Sequence, residues 1–107
     1  MINPFSSEVV FKVTLINGQC DVLLNGLLLI SGTSNQCMSK IRNTIMNSSY
    51  RTISENSIKF IIDSKITSPQ TSPQIADDKN YFVNQLRLLA TSCKCKFKIQ
   101  AGIHFIS

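Results

Sequence analysis

The chain has 107 residues, a length that suits one domain and falls short of two self-sufficient cores. Apolar residues make up 43% and charged residues 16%, which supplies material for a core and excludes the charge-rich composition of disordered chains. Eleven Lys and Arg against six Asp and Glu leave a net charge of +5, a balance that favours a polyanionic partner without the clustered basic face that would establish one.

The opening Met1-Ile2-Asn3-Pro4-Phe5 lacks the basic start and apolar centre of a secretory signal. The longest apolar run, Val22 to Ile30, is interrupted by Asn25 and Gly26 and is too short to span a bilayer. The expected location is the cytoplasm, with no membrane partner. There, four cysteines read as reduced core residues in preference to a disulfide framework.

Glu8 to Ile16 (EVVFKVTLI) alternates, with Phe11, Val13 and Leu15 on one face and Lys12 and Thr14 on the other, as a half-buried strand does. Asn17-Gly18 follows, the dipeptide best suited to the positive φ angles of a tight hairpin. A second strand is expected at Cys20 to Leu24, the turn signal repeats at Asn25-Gly26, and a third strand runs from Leu27 to Ile30. Gly32-Thr33-Ser34-Asn35 offers hydroxyl and amide caps for a helix from about Asn35 to Met46. Its apolar positions Cys37, Met38, Ile41 and Ile45 fall three and four apart, as one buried helix face requires.

The second half starts again with strand-like sequence. Tyr50 to Ser54 reads as a short strand, and Ser57 to Asp63 (SIKFIID) as a stronger one. TSPQTSPQ, Thr67 to Gln74, contains two prolines and reads as an exposed loop, with an edge strand around Ile66. Asp77 and Asp78 suit a helix N-terminus, and a helix from Asp78 to Thr91 would turn Phe82, Val83, Leu86, Leu89 and Ala90 inward. In the tail, Cys93, Cys95, Phe97 and Ile99 alternate with Lys94, Lys96 and Lys98, a strand pattern that Gly102 interrupts before a further short strand at Ile103 to Ile106.

The two halves match each other. Cys37-Met38-Ser39-Lys40-Ile41-Arg42 and Phe82-Val83-Asn84-Gln85-Leu86-Arg87 share one pattern of apolar pairs, polar pairs, an apolar residue and Arg, which suggests a duplicated unit. On these residues, with the Asn17-Gly18 turn and with Tyr50, Asn56, Lys59 and Phe60 at the start of the second half, the chain resembles the YegP-like family of small proteins with two strand–strand–strand–helix repeats. The resemblance covers most of 8–92. It implies a compact, dimeric domain and carries over no catalytic residues.

Together these readings predict an α+β fold: an antiparallel sheet from two βββα-type repeats packed against two helices, plus a C-terminal strand. The chain is expected to form a single domain over 1–107, with a first repeat at 8–47, a second at 49–92 and a strand tail at 93–107.

Chemistry-bearing residues are few. His104, the one histidine, sits in Gly-Ile-His-Phe-Ile-Ser with no nucleophile beside it, and the six carboxylates lie at strand starts, turns and a helix cap. No phosphate-binding glycine loop is present. An enzyme is not expected, nor a cofactor. Cys93, Cys95 and His104 could supply three metal ligands, completed by Cys20 or Cys37, but paired Cys-x-x-Cys knuckles are missing and the alternating pattern makes the cysteines core residues. The remaining polar feature is the lysine strip, whose members would project at a repeat of about 7 Å, close to the spacing of backbone phosphates. Lysines on an edge strand also discourage aggregation, and no aromatics interleave with them.

The leading expectation is a non-catalytic protein-binding module, of the inhibitor or immunity type carried by phages and mobile elements, an anti-CRISPR counter-defence inhibitor being one concrete form. The alternative is a small basic nucleic-acid-binding protein. The candidate binding residues are Arg87, Lys94, Lys96 and Lys98. Self-association as a homodimer is a third expectation.

Overall fold

The computed structural model describes residues 9–47, 58–93 and 96–105. Alternation builds the first strand, β1 (Val9–Ile16), with Val9, Phe11, Val13 and Leu15 buried. Asn17 and Gly18 then take φ of 50° and 78°, the paired positive values of a turn whose twist matches its strands. The chain returns as β2 (Gln19–Leu24), antiparallel to β1. Asn25 and Gly26 repeat the turn with φ of 49° and 89° and lead into β3 (Leu27–Gly32), antiparallel to β2. Asn25 also holds the start of β1. Its backbone N–H donates to the Val10 carbonyl, and its Oδ1 accepts from the Val10 N–H, both at 2.8 Å.

Thr33 caps the first helix, α1 (Ser34–Met46), in a reciprocal box. Its hydroxyl accepts from the Gln36 N–H at 3.2 Å while the Gln36 side-chain oxygen accepts from the Thr33 N–H at 3.0 Å. The buried face is the one the spacing predicts: Cys37, Met38, Ile41 and Ile45.

Beyond α1, β4 (Ile58–Ile66) runs parallel to β1, and β5 (Phe97–Phe105) runs parallel to β4. The five strands make one mixed sheet in the order β3-β2-β1-β4-β5. The α+β class and the C-terminal strand agree with the sequence reading, but the antiparallel pairing extends only through the first three strands. The cause is geometric. Each helix carries the chain back to the end of the sheet where β1 began, so the strand after it must point the same way as β1. The expected strand at Tyr50 to Ser54 lies outside the described residues.

Two other expectations are corrected. The TSPQTSPQ segment is no open loop. Pro69–Thr71 forms one 3₁₀ turn and the second helix, α2 (Ser72–Cys93), begins directly after it. Pro73 is tolerated there because first-turn N–H groups have no helical acceptor to lose. Asp77 and Asp78 therefore lie beyond the first turn of α2, not at its cap. In the tail, Cys93 ends the helix, and Gly102 lies within β5, which continues to Phe105.

Both helices cover the same face of the sheet. The core joins the odd residues of β1, Cys20 and Val22 of β2, and the even residues of β4 to Cys37, Met38, Ile41 and Ile45 of α1 and Ile75, Phe82, Leu86 and Leu89 of α2. Ile75 comes from the segment read as loop. Aromatic rings cross three strands: Phe11 stacks on Phe60 at 5.0 Å between centroids, and Phe60 meets Phe97 at 4.8 Å. An Arg42 guanidinium N–H donates to Gln85 Oε1 at 3.2 Å, joining the helices on the outside.

Candidate functional site

Among the described residues, the opposite face of the sheet carries no helix. Parallel strands are as a rule covered on both faces and read as continuous apolar runs. β4 departs from that rule, because it has parallel neighbours on both edges yet alternates strictly, Ile58, Phe60, Ile62, Ser64 and Ile66 being buried and Lys59, Ile61, Asp63 and Lys65 half-buried. The strand registers lay out this helix-free face in rows. Val10, Lys59 and Lys98 form the first, and Leu28, Leu23, Lys12, Ile61 and Gln100 the second. Ser31, Asp21, Thr14, Asp63 and Gly102 make the third, followed by Gln19, Ile16, Lys65 and His104.

Leu28 and Leu23 thus form an apolar patch that Lys12 separates from Ile61, with Lys59, Lys65 and Lys98 beyond, and Leu28 keeps 63% of its surface exposed. The carboxylates on this face are engaged locally. The Ser31 hydroxyl donates to Asp21 Oδ1 at 2.6 Å, and His104 Nε2 lies 3.2 Å from Asp63 Oδ1. That Asp63 oxygen is shut off from solvent and accepts no aligned hydrogen bond among the described residues, so its contact with the imidazole is an ion pair when the ring is protonated. Gly102, having no side chain, leaves a shallow cleft of about 400 Å³ between Lys12, Ile61, Gln100 and His104.

Lys59 and Lys98 are direct neighbours on adjacent strands. Like charges so placed repel and weaken the sheet. An anionic group seated between them removes the penalty.

Of the residues singled out from the sequence, Lys98 is exposed on this face and Lys96 is exposed immediately before β5, its carbonyl accepting from the Ile58 N–H at 3.1 Å. Lys94 lies outside the described residues. Arg87 is exposed on α2, in the helix layer, and so belongs to the other side of the molecule from Lys98. Lys12, Lys59 and Lys65 were missed as a set. Their shared parity in FKVTLI and IKFIIDSKI was readable, but only the parallel pairing of β1 and β4 puts them on one surface.

Of the candidate metal ligands, Cys95 lies outside the described residues, and the others do not form a site. Cys20 and Cys37 are buried under α1, with the Cys37 thiol donating to the Cys20 carbonyl at 3.3 Å, whereas His104 is on the far face. No cluster of three His, Cys, Asp or Glu able to hold a metal occurs among the described residues. Burial pushes the thiols of both Cys20 and Cys37 up, away from the reactive thiolate.

Among the described residues, Asp78 is the one carboxylate visibly perturbed. Burial raises its pKa, and neighbouring Asp77 raises it further. The folded state therefore holds the proton more tightly than the unfolded chain does. The stability this contributes is complete below the ordinary carboxylate range and is lost as pH rises through the raised value. Asp78→Asn, which keeps the neutral form, should be more stable than the parent protein at pH 7 and indistinguishable from it near pH 3. Urea midpoints at the two pH values check this.

No protein-family model matches the chain, and no curated protein matches it. No helix among the described residues is long and apolar enough to cross a membrane.

Proposed function

We propose that the chain is a non-catalytic protein-binding module that docks its partner on the helix-free face of the sheet. The observation that carries this reading is the bare second face of a strand with two parallel neighbours, where Leu23, Leu28 and Ile61 lie among four lysines. Such a surface fits a partner with apolar groups and an acidic rim, since opposite charges steer association and Leu23, Leu28 and Ile61 supply burial. An inhibitor or immunity-type role, including counter-defence, is the form of binding that suits a small module with so little chemistry in it. The YegP-like resemblance adds no catalytic residue to this reading.

A photo-crosslinking residue at Lys12, in the middle of the face, should capture a partner of distinct mass in cells. The same residue at Asn84, on the exposed side of α2, should not. Capture from position 84 alone would refute the assignment of the face.

A second reading has one observation in its favour, the Lys59–Lys98 adjacency, which suits a phosphate as well as a carboxylate. Nucleic-acid binding through the lysines would show as retardation of DNA or RNA that weakens steeply with salt.

A further inference from the structure

The last strand is nearly a palindrome. β5 reads Phe97-Lys98-Ile99-Gln100-Ala101-Gly102-Ile103-His104-Phe105, so that counting outward from Ala101 meets Ile on both sides at the second step, a basic or imidazole residue at the third and Phe at the fourth. β5 is also an edge strand, paired on one side only among the described residues. At nine residues without proline, β5 has Lys98 as its one charged guard, whereas the other edge, β3, has six residues and faces a register shift at Val22/Leu23.

We infer that β5 pairs antiparallel with β5 of a second copy, about a two-fold axis through Ala101, to give a continuous ten-stranded sheet. Three observations converge on this register. First, the Lys96 carbonyl points to β4, where it accepts from Ile58, so by the alternation of backbone groups the odd residues of β5 direct their N–H and C=O outward. Ala101 is odd and sits at the centre, where an axis through a hydrogen-bonded pair requires such a residue. The five odd residues then exchange about ten backbone hydrogen bonds with the partner strand.

Second, the side chains match. Phe105 is 75% exposed and Ile103 38% exposed, on the part of β5 that α2 leaves uncovered. In this register each Phe105 lies opposite the second copy's half-buried Phe97, and each Ile103 opposite its Ile99. The exposed end of one strand is thereby covered against the packed end of the other, which is the self-complementarity an isologous interface needs. Third, on the other face each Lys98 meets a second-copy His104, whose neighbour Asp63 supplies the opposite charge.

The proposal is independent of the docking face, since the paired sheet leaves that face open in both copies. The test uses sedimentation equilibrium on the full chain across micromolar to millimolar concentration. The expected mass is twice 11.9 kDa at the upper end. Ala101→Pro removes an outward N–H without breaking a bond to β4, a substitution that edge strands tolerate, and should yield a monomer with an unchanged circular dichroism spectrum. Should that variant unfold, Phe105→Lys serves the same purpose from an exposed position. The register is read by cysteine pairing under mild oxidation. Ala101→Cys should form a covalent dimer, because residues of a hydrogen-bonded antiparallel pair sit about 5.5 Å apart at Cα, within disulfide reach. Gln100→Cys, which faces Gly102 of the second copy, should not. A strictly monomeric parent protein, or a dimer that survives both Ala101→Pro and Phe105→Lys, would overturn the inference.

Discussion

Replacing Phe60 by alanine should lower the stability of the domain by about 4 kcal/mol, the middle of the range for emptying a packed aromatic site. Phe60 has no exposed surface and lies between Phe11, stacked on it at 5.0 Å and 13°, and Phe97 at 4.8 Å and 56°. Its removal leaves a cavity where β1, β4 and β5 join, and neither neighbour can fill it without leaving the sheet. A domain of this size holds about 5 to 15 kcal/mol in total, so the variant should sit near the threshold of folding. Phe97→Ala should cost less, because Phe97 is half-buried and on the edge strand. Urea denaturation of the two variants checks the order. A loss below about 1 kcal/mol at Phe60 would mean that the parallel half of the sheet is not held by this row.

The second large effect concerns binding. The combined variant Lys12→Glu, Lys59→Glu and Lys98→Glu should weaken partner association by more than about a hundredfold, since each reversal sets like charges against an acidic rim. The fold should survive it. Indeed the single change Lys59→Glu should raise stability slightly, by about 0.5 kcal/mol, because it replaces a repulsive cross-strand pair with an attractive one beside Lys98. Weaker binding with greater stability in that single variant is the signature of residues retained for an interface, not for the fold. The measurement pairs a partner titration with thermal melts of the same samples. Undiminished affinity in the triple variant would remove the lysines from the interface.

Much of the architecture is legible in the residues themselves. Two Asn-Gly dipeptides specify hairpin turns because both residues must take positive φ, and the structure shows them so. The spacing of Cys37, Met38, Ile41 and Ile45 fixes the buried face of α1 without reference to anything else. What was not legible is how distant strands pair. The repeat pattern in the second half suggested a second meander, but alternation in β4 is compatible with either pairing direction, and only the helix lying between strands decides for the parallel one. Pro73 reads as a loop signal because proline cannot donate to a strand ladder, but the first turn of a helix asks for no such donor.

The same limit applied to the site. Lys98 was identified from local alternation alone, yet its neighbour Lys59 is far away in sequence and becomes visible only through the register of β4 and β5. Arg87 was grouped with the lysines because it is near them in the chain. The helix on which it sits packs on the opposite face, so proximity in sequence misled where layer mattered.

Among the described residues, β4 has one face sealed by helices and the other open. Single cysteines at Ile61 and Ile62, adjacent positions pointing to opposite faces, test it most directly when alkylation with iodoacetamide is followed by peptide mass spectrometry. Ile62 is 1% exposed, whereas Ile61 lines the cleft on the helix-free face. Rapid modification is expected at position 61 and almost none at 62 in the folded, partner-free protein, with position 61 becoming protected once the partner binds. Equal protection of both positions in the isolated protein would contradict it.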